Sequence, residues 1–247
     1  MKEQFSRTAI LLGEDAVDSL MNKKVCLFGL GGVGGFVAEA LARAGVGHFV
    51  LVDNDTVSKT NINRQIIATL DTIGMNKVDL VAKRILSINE DAIIEKKQMF
   101  YLPEVKDEFD FSSYDYVIDA IDTIKAKIDI IEECTKTKTK IISCMGVGNK
   151  LDPSKLQITD IYKTFVDPLA RVMRTELKKR RIKKCKVLFS TEYPLKPKES
   201  AGVNREMAEM KASGASRRAL PGSVSFVPSV AGLMIGGYVI RDLTGLL

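Results

Sequence analysis

A cluster of glycines lies between two apolar runs near the amino terminus of the chain. The sequence Gly29-Leu-Gly-Gly-Val-Gly-Gly follows the first apolar run, and the second run ends at Asp53. The first glycine permits a tight turn, Gly31 and Gly32 lack the Cβ atoms that would keep a phosphate from the backbone, and Gly34 allows close packing of helix on strand. The helix that follows would point its first N–H groups at an anion. Because a carboxylate at the end of the second strand can accept hydrogen bonds from a ribose, the pattern predicts a nucleotide-binding site.

More polar and charged residues that could bind a nucleotide follow this acid. They form the segments Asp53-Asn-Asp55, Asn61-Ile-Asn-Arg64-Gln65 and Gly74-Met-Asn-Lys77. Arg64 lies in a loop, where an arginine has little packing role. Lys77 lies at the beginning of a helical pattern, where a positive charge is unfavourable. Both positions therefore favour contacts with phosphate. Asp55 either supports the site or caps the following turn.

Strands and helices alternate along the first part of the chain. Periodicity predicts strands at Lys24–Gly29, Val50–Val52, Ile93–Gln98, Tyr116–Ala120 and Lys140–Cys144, and helices at Glu14–Met21, Gly35–Ala44, Asp71–Asn89 and Ile124–Thr135. His48 is placed in a turn. The alternation predicts an α/β fold with a Rossmann-like, doubly wound, mostly parallel sheet. Such sheets bind ligands at the carboxyl ends of their strands, where Asp53, Asp119 and Asp122 fall.

The character of the chain changes after Gly146. Asp152–Asp160 and Val187–Glu192 are strand candidates that would give the sheet a C-terminal antiparallel extension, and Pro194–Leu220 is predicted to be a long crossover loop. The apolar segment Ser223–Ile240 approaches the length of a membrane span, but Pro228 interrupts it, which favours a buried helix. We therefore expect one domain over residues 1–247, with a nucleotide-binding part at about 20–150 and a C-terminal part at about 151–247.

Charge and composition narrow the function classes. The net charge of +6 is concentrated in Arg171–Lys186, which holds nine Lys or Arg and one acid. This run is either a solvated helix face or a contact with nucleic-acid phosphates. The four cysteines form no CxxC pair and His48 is the single histidine, so cysteine or histidine zinc clusters are not expected. The cysteine usage, and a polar start without an apolar leader segment, fit a cytoplasmic protein.

The pattern of polar residues resembles that of a known superfamily. D-x-D followed by N-x-x-R-Q and G-x-x-K, together with Ile118-Asp-Ala-Ile-Asp122, is similar to the ubiquitin-activating-enzyme-like superfamily of ThiF-type adenylating enzymes. Within it, the chain most resembles the branch that dehydrates N6-threonylcarbamoyladenosine in the tRNA anticodon loop. That choice depends on Phe5-Ser-Arg-Thr8, Ser143-Cys-Met-Gly146, Phe189-Ser-Thr-Glu192, Gly222-Ser223 and the basic run.

The resemblance implies an ATP-dependent enzyme that adenylates the threonyl carboxylate of the modified base. It implies that Asp53 binds the ribose, that the Gly31–Gly34 amides face the phosphates, and that Gln65 and Asp55 support the site. It also implies phosphate binding by Asn61, Arg64 and Lys77, with Arg64 and Lys77 stabilising charge in the transition state. The remaining implied roles are Mg²⁺ binding by Asp122, a finger supplied to the partner subunit of a homodimer by Arg7, a monovalent cation (K⁺ or Na⁺), and tRNA binding by Lys178, Lys179, Arg180, Arg181, Lys183 and Lys184. Asp122 as a helix cap and Arg7 as a plain surface residue are the simpler alternatives.

Other functions remain open from the sequence. The first is an adenylyltransferase that activates the C-terminus of a sulfur-carrier protein, and the second is a nicotinamide-dependent dehydrogenase, which would leave Asn61, Arg64 and Lys77 unexplained. A non-enzymatic tRNA-binding module is a third. Cys185 lies among lysines that can lower a thiol pKa, which leaves a catalytic cysteine open beside a plain strand position. A sulfur-acceptor or desulfurase protein as partner, and peripheral membrane association, are also left open.

Overall fold

The chain folds into one central sheet flanked by helices on both faces. The computed structural model describes residues 2–198 and 221–247, so most of the predicted crossover loop Pro194–Leu220 lies outside the described residues. The strands are β1 (Lys24–Phe28), β2 (His48–Val52), β3 (Ile93–Lys97), β4 (Tyr116–Asp119), β5 (Ile141–Cys144), β6 (Leu156–Asp160) and β7 (Lys186–Ser190). The helices are α1 (Ser6–Leu12), α2 (Glu14–Leu20), α3 (Gly34–Ala44), α4 (Lys77–Ile88), α5 (Ile124–Thr137), α6 (Pro168–Lys179) and α7 (Phe226–Leu243).

The sheet has seven strands in the order β3-β2-β1-β4-β5-β7-β6. All neighbouring strands are parallel except β6 and β7, which pair antiparallel from Leu156 opposite Ser190 to Asp160 opposite Lys186. The chain winds outward from β1 in one direction and from β4 in the other, so the strand order reverses between these two strands. The predicted doubly wound sheet with a C-terminal antiparallel extension is confirmed. The reversal creates a crevice at the carboxyl ends of β1 and β4, where such folds bind ligands.

Helix α7 is packed tightly against α3 on one face of the sheet. A Cβ added to Gly232 would lie 2.4 Å from the carbonyl oxygen of Val33, and one added to Gly236 would lie 2.5 Å from Cβ of Ala40. The two helices can approach this closely only because these positions are glycines. Helix α7 is also the one helix in the described part of the chain that is long and apolar enough to cross a membrane. The core helix of a soluble protein meets the same length and composition test, and the close contact with α3 supports the predicted buried helix.

Several predicted boundaries are wrong, each for a local reason. The helix predicted over Asp71–Asn89 begins only at Lys77, because Gly74 adopts a positive φ of 86° that a helix cannot contain. Pro228 does not interrupt α7 but lies in its first turn, where the missing N–H costs nothing. His48 is the first residue of β2 rather than part of a turn. Helix α1, which the sequence did not predict, is seven residues long and leaves Ile10 and Leu11 largely exposed.

Candidate functional site

The glycine-rich turn joins β1 to α3 at the carboxyl edge of the sheet. Gly29 has a positive φ of 86°, and its N–H donates to the carbonyl of Val52 at 2.8 Å, which ties the turn to the end of β2. A Cβ on Gly34 would lie 1.8 Å from the carbonyl oxygen of Gly29, so no side chain fits at this first residue of the helix. The turn therefore holds α3 close to the strand, with its amino end at the crevice, where its N–H groups can bind an anion.

Asp53 follows β2 and is bonded to the glycine turn. Its Oδ2 accepts a hydrogen bond from the N–H of Leu30 at 2.7 Å, and its Oδ1 accepts one from the N–H of Asp55 at 2.8 Å. Burial raises the pKa of Asp53, although Lys77 and these two N–H groups oppose the shift. Each carboxylate oxygen has a second lone pair, so the side chain can still accept from a ribose hydroxyl. The ribose contact itself stays a prediction.

Lys77 begins α4, and its ammonium group lies against Asp55. The Lys77 side chain is buried, and its Nζ is 2.7 Å from Oδ2 of Asp55. Of the two sequence interpretations of Asp55, the structure favours support of the site, because the carboxylate binds Lys77. An ammonium group has three donors, so Lys77 can bind phosphate oxygens while it keeps Asp55. The ion pair also offsets the unfavourable position of a cation at a helix amino terminus.

The loop that contains Asn61, Arg64 and Gln65 lies beside the glycine turn. Oδ1 of Asn61 accepts from the N–H of Ser58 at 3.2 Å, so this side chain shapes the loop. A Cβ on Gly32 would lie 3.4 Å from Cγ of Arg64, which places the arginine stem directly against the turn. The structure therefore brings Arg64 next to the glycines, and its contact with phosphate stays a prediction.

Gln65 is the residue in this loop with an unmet hydrogen-bonding group. Its side chain is buried, and its Oε1 has no hydrogen-bond partner among the described residues. The side-chain nitrogen Nε2 would lie 3.6 Å from a Cβ on Gly31, so the amide faces the glycine turn. A buried polar atom without a partner is costly, which makes a polar ligand at this turn a fitting occupant.

Asp119 and Asp122 end β4 but have different surroundings. Asp119 is the last residue of β4, at the carboxyl end of the strand as predicted, but it is completely buried and binds Lys127. Asp122 is exposed in the loop that follows. The N-cap residue of α5 is Thr123, so the alternative in which Asp122 caps the helix is wrong. The inward-facing Lys127 was missed, although a lysine at an apolar position of a helical pattern is a signal.

Arg7 and the basic run lie away from this cluster. Arg7 is exposed on α1. Residues 180–185 of the basic run, between α6 and β7, directly precede β7, so this part of the run lies at the amino edge of the parallel strands, opposite the glycine turn. A five-residue strand separates the two edges by about 16 Å. Lys179 and Arg180 form ion pairs with Glu176, and Arg180 also pairs with Glu132. In the described chain, no acid pairs with the remaining exposed cations, namely Lys178, Arg181, Lys183 and Lys184.

Cys185 is unsuited to nucleophilic chemistry. Its side chain is buried, and burial raises the pKa of the thiol to about 12. The neighbouring lysines in the sequence therefore do not produce the lowered thiol pKa that was considered.

We expect Cys185→Ala to retain full activity, because the thiol is protonated at neutral pH and a thiol, unlike a thiolate, is a poor nucleophile. The intact protein should also resist alkylation by iodoacetamide at about pH 8, and modification should appear only when the protein is unfolded. An assay of AMP formation measures the activity, and mass spectrometry of the native and the unfolded protein measures the alkylation. A loss of turnover in a folded Cys185→Ala variant would contradict this expectation.

Comparisons with known proteins agree with this geometry. The family model described as ThiF family matches residues 5–246. The tRNA threonylcarbamoyladenosine dehydratase of Bacillus subtilis (strain 168) is 47% identical over 244 residues, which is 98% of this chain and 95% of that protein. The crystal structure of the Escherichia coli tRNA N6-threonylcarbamoyladenosine dehydratase in complex with ATP superposes with a TM-score of 0.85 at 32% identity, covering 98% of this chain and 94% of that one.

A second group of relatives matches less of the chain. The sulfur carrier protein ThiS adenylyltransferase of Escherichia coli (strain K12) is 34% identical over 143 residues, or 56% of each chain. The Bacillus subtilis dehydratase thus matches nearly the whole length of the chain, whereas the sulfur-carrier activator matches little more than half. With a family model that covers nearly all of it, the chain belongs to the ThiF family.

Proposed function

We propose that this protein is an ATP-dependent enzyme that dehydrates N6-threonylcarbamoyladenosine in the anticodon loop of tRNA. The observation that carries this proposal is the 47% identity to the Bacillus subtilis dehydratase over 98% of the chain. The sulfur-carrier activator is the less supported alternative, because its resemblance covers 56% of the chain and no CxxC zinc pair is present. We propose that residues 1–247 act as one adenylating domain and that the enzyme is cytoplasmic.

The chemistry begins with activation of a carboxylate. A threonyl carboxylate oxygen attacks the α-phosphorus of ATP and pyrophosphate leaves, which gives an acyl adenylate. The carbamoyl group of the same modified base then attacks the activated carbonyl carbon, and AMP leaves as the ring closes. The sum is loss of one water from the nucleoside and conversion of ATP to AMP and pyrophosphate. No protein nucleophile is needed, which agrees with the protonated thiol of Cys185.

The geometry supports specific roles in ATP binding. The glycine turn and the amino end of α3 would bind the phosphates, and Asp53 would bind the ribose. Lys77 and Arg64 would neutralise the charge that develops on the α-phosphate during attack, because Arg64 adjoins this turn and Lys77 is held by Asp55, next to the acid that binds the turn. Asn61 would add a phosphate contact. Gln65 would bind the nucleotide through its side-chain amide, whose Nε2 lies beside the turn and whose Oε1 has no hydrogen-bond partner among the described residues.

A magnesium ion fits this arrangement only together with the phosphates. The described residues contain no group of three or more potential metal-binding side chains. Mg²⁺ bound to ATP needs one or two protein carboxylates besides phosphate oxygens and water. Asp122 is the exposed carboxylate at the end of β4 and would supply that ligand. The ion would withdraw charge from the phosphates, and we assign no ligands to a monovalent cation.

We further propose that the enzyme works as a homodimer. Arg7 projects from the surface of α1, and the same short helix exposes Ile10 and Leu11, which are 81% and 84% exposed. Exposed aliphatic side chains on one helix are typical of a surface that a partner covers. In this arrangement Arg7 would approach the nucleotide of the partner subunit. We assign no residue to a sulfur-acceptor or desulfurase partner.

The deciding experiment is incubation with ATP, Mg²⁺ and tRNA that carries threonylcarbamoyladenosine. We expect nucleoside mass spectrometry to show ATP-dependent loss of one water, together with one AMP for each dehydrated base. tRNA with unmodified adenosine at the same position is the control and should yield no AMP. ATP binding without dehydration would contradict the proposal and would favour the activation of a Gly-Gly-tailed carrier protein.

We expect the basic run to bind tRNA phosphates. Neutralising Lys178, Lys179, Arg180 and Arg181 together should weaken tRNA affinity and flatten its dependence on salt, because fewer counterions are released. Filter binding at several salt concentrations measures both quantities.

The chain offers a matched pair of variants for this test. Lys178→Gln with Arg181→Gln should weaken binding more than Lys179→Gln with Arg180→Gln, since Glu176 and Glu132 already neutralise the second pair. An unchanged affinity and salt slope in the fourfold variant would place the tRNA elsewhere on the protein.

A further inference from the structure

We propose that Asn63 and Asn149 are positioning residues that orient Arg64 through a bridge of hydrogen bonds from another part of the fold. This inference rests on the proposed function, because it concerns the residue expected to stabilise charge during adenylation. The bridge joins the loop after β5 to the loop that contains Arg64. It passes through Gly222 and Ser223, which precede α7.

The first half of the bridge is a clamp between Asn149 and Gly222. The N–H of Asn149 donates to the carbonyl of Gly222 at 2.7 Å, and the N–H of Gly222 donates to Oδ1 of Asn149 at 2.6 Å. Asn149 adopts a positive φ of 58°, a conformation that asparagine tolerates better than most residues. On its other side, the Asn149 carbonyl accepts from the N–H of Leu195 at 2.9 Å. One residue thus holds two distant segments of the chain.

The clamp also requires a glycine beside it. A Cβ on Gly148 would lie 2.9 Å from Cβ of Pro221 and 3.5 Å from the carbonyl oxygen of Gly222. Since Pro221 is rigid and its Cβ cannot move away without the backbone, a side chain at position 148 would displace the segment that Asn149 binds. The close approach of these two loops therefore depends on two adjacent residues, Gly148, which leaves room for Pro221, and Asn149, which binds Gly222.

The second half of the bridge connects this segment to Arg64. Nδ2 of Asn63 donates to the carbonyl of Ser223 at 2.9 Å, and Oδ1 of the same amide accepts from Nη1 of Arg64 at 2.9 Å. Nη1 of Arg64 also donates to the carbonyl of Thr60 at 2.9 Å. Both the nitrogen and the oxygen of the Asn63 amide are therefore hydrogen-bonded. Its bond with Ser223 fixes the orientation of the amide, and the amide in turn orients the guanidinium group of Arg64.

Orientation matters for a planar guanidinium more than for a simple point charge. Its donors form a rigid fork, which binds an oxyanion well only in one plane. The contact with Thr60 lies within the same loop, whereas Asn63 connects Arg64 to Ser223 in another part of the fold. Loss of the bridge should leave the charge in place but let the fork rotate. We therefore expect a slower chemical step with little change in ATP affinity.

The test uses variants that divide the bridge into its parts. Asn63→Ala removes both contacts, and Asn63→Asp keeps the acceptor for Arg64 but loses the donor to Ser223. Asn149→Gly keeps the backbone conformation and removes the side-chain acceptor, whereas Asn149→Asp retains an acceptor. Asn22→Ala, in the turn before β1, is the control, because among the described residues its side chain hydrogen-bonds the carbonyl of Asp18 alone, at 3.5 Å.

We expect Asn63→Ala and Asn149→Gly to lower kcat for AMP formation about 10- to 100-fold, with the KM for ATP nearly unchanged. Asn149→Asp should restore most of the rate, and Asn63→Asp should be intermediate. The double variant of Asn63→Ala and Asn149→Gly should be no slower than Asn63→Ala alone, because both act through one bridge. A normal kcat for Asn63→Ala, no rescue by Asn149→Asp, or additive losses would each overturn the proposal.

A second measurement keeps this inference separate from the proposed function. The Nε–H signal of Arg64 in an NMR spectrum, assigned by its loss in Arg64→Lys, reports the order of the guanidinium group without any turnover. We expect this order to fall in Asn63→Ala and Asn149→Gly and to be unchanged in Asn22→Ala. An unchanged order of the Arg64 guanidinium group in the first two variants would overturn the proposal, even if the enzyme is active. If the wild-type protein forms no AMP with modified tRNA, the proposed function fails while the NMR result still decides the bridge.

Discussion

Arg64→Ala is expected to abolish AMP formation while the protein stays folded. The guanidinium group adjoins the glycine turn, where we propose that the α-phosphate of ATP lies, and charge grows on that phosphate as the carboxylate attacks. Removing one preorganised donor from such a site lowers the rate by about 10²- to 10³-fold, and removing an arginine that stabilises a phosphoryl-transfer transition state lowers it by about 10³- to 10⁵-fold. We therefore expect a loss of about 10³-fold or more, close to the detection limit of an AMP assay.

The fold should tolerate this change because Arg64 lies in a loop, where an arginine has little packing role. Its two hydrogen bonds to described residues, with the carbonyl of Thr60 and the side chain of Asn63, both lie within that loop. Thermal unfolding should therefore be nearly unchanged. Arg64→Lys keeps the charge but not the fork, and it should recover only part of the rate.

Lys59→Ala is the matched control for Arg64→Ala. Lys59 is an exposed cation in the same loop and has no proposed role, so its removal tests for a general effect of charge. We expect its rate of AMP formation to be close to that of the wild type. Unchanged turnover in Arg64→Ala would remove this residue from the mechanism, and equal losses in both variants would reduce its role to unspecific electrostatics.

The local parts of the site were predictable from sequence because backbone geometry dictates them. No side chain fits at Gly34, where a Cβ would lie 1.8 Å from a carbonyl oxygen, so the glycine pattern reports a physical constraint. The acid at the end of the next strand is fixed by the same βαβ unit. The apolar runs also predicted a mostly parallel sheet, because buried parallel strands are continuous apolar segments.

The parts that sequence reasoning missed depend on contacts between distant residues. Asn149 and Gly222 are 73 positions apart, and no local pattern shows that they bind each other. Cys185 has lysines beside it in the chain, but burial rather than these neighbours sets its pKa. The start of α4 was placed too early because apolar residues before Gly74 continue the helical period, while the positive φ of that glycine ends it.

Lys127→Met is expected to cause the largest loss of stability among single substitutions outside the apolar core. Lys127 and Asp119 are both completely buried, and the Nζ of Lys127 lies 2.9 Å from the Asp119 carboxylate and 2.9 Å from the carbonyl of Ile121. Ser143 donates its hydroxyl to the same carboxylate at 2.5 Å. Methionine fills the space of the lysine stem but leaves Asp119 as an uncompensated buried charge. Breaking a buried pair in this way costs about 3–5 kcal/mol.

A double variant separates the charge effect from packing. Asp119→Asn combined with Lys127→Met removes both charges and keeps an acceptor for Ser143, so we expect it to be clearly more stable than Lys127→Met alone. Lys125→Met, on the exposed side of the same helix, should change stability far less, since Lys125 is 60% exposed in its ion pair with Glu104. Urea unfolding followed by circular dichroism gives the free energies of unfolding of all three variants.

The same pair also connects stability to the proposed catalytic site. Lys127 binds the end of β4 and the carbonyl of Ile121, and Asp122 follows directly, so the ion pair fixes the start of the loop that we propose to hold Mg²⁺. The double variant should therefore remain folded but require more Mg²⁺ for half-maximal AMP formation. If Lys127→Met lost less than about 1 kcal/mol, or if the double variant were no more stable than it, the buried charge could not be the cause. A normal Mg²⁺ requirement in the folded double variant would show that the ion pair supports the fold alone.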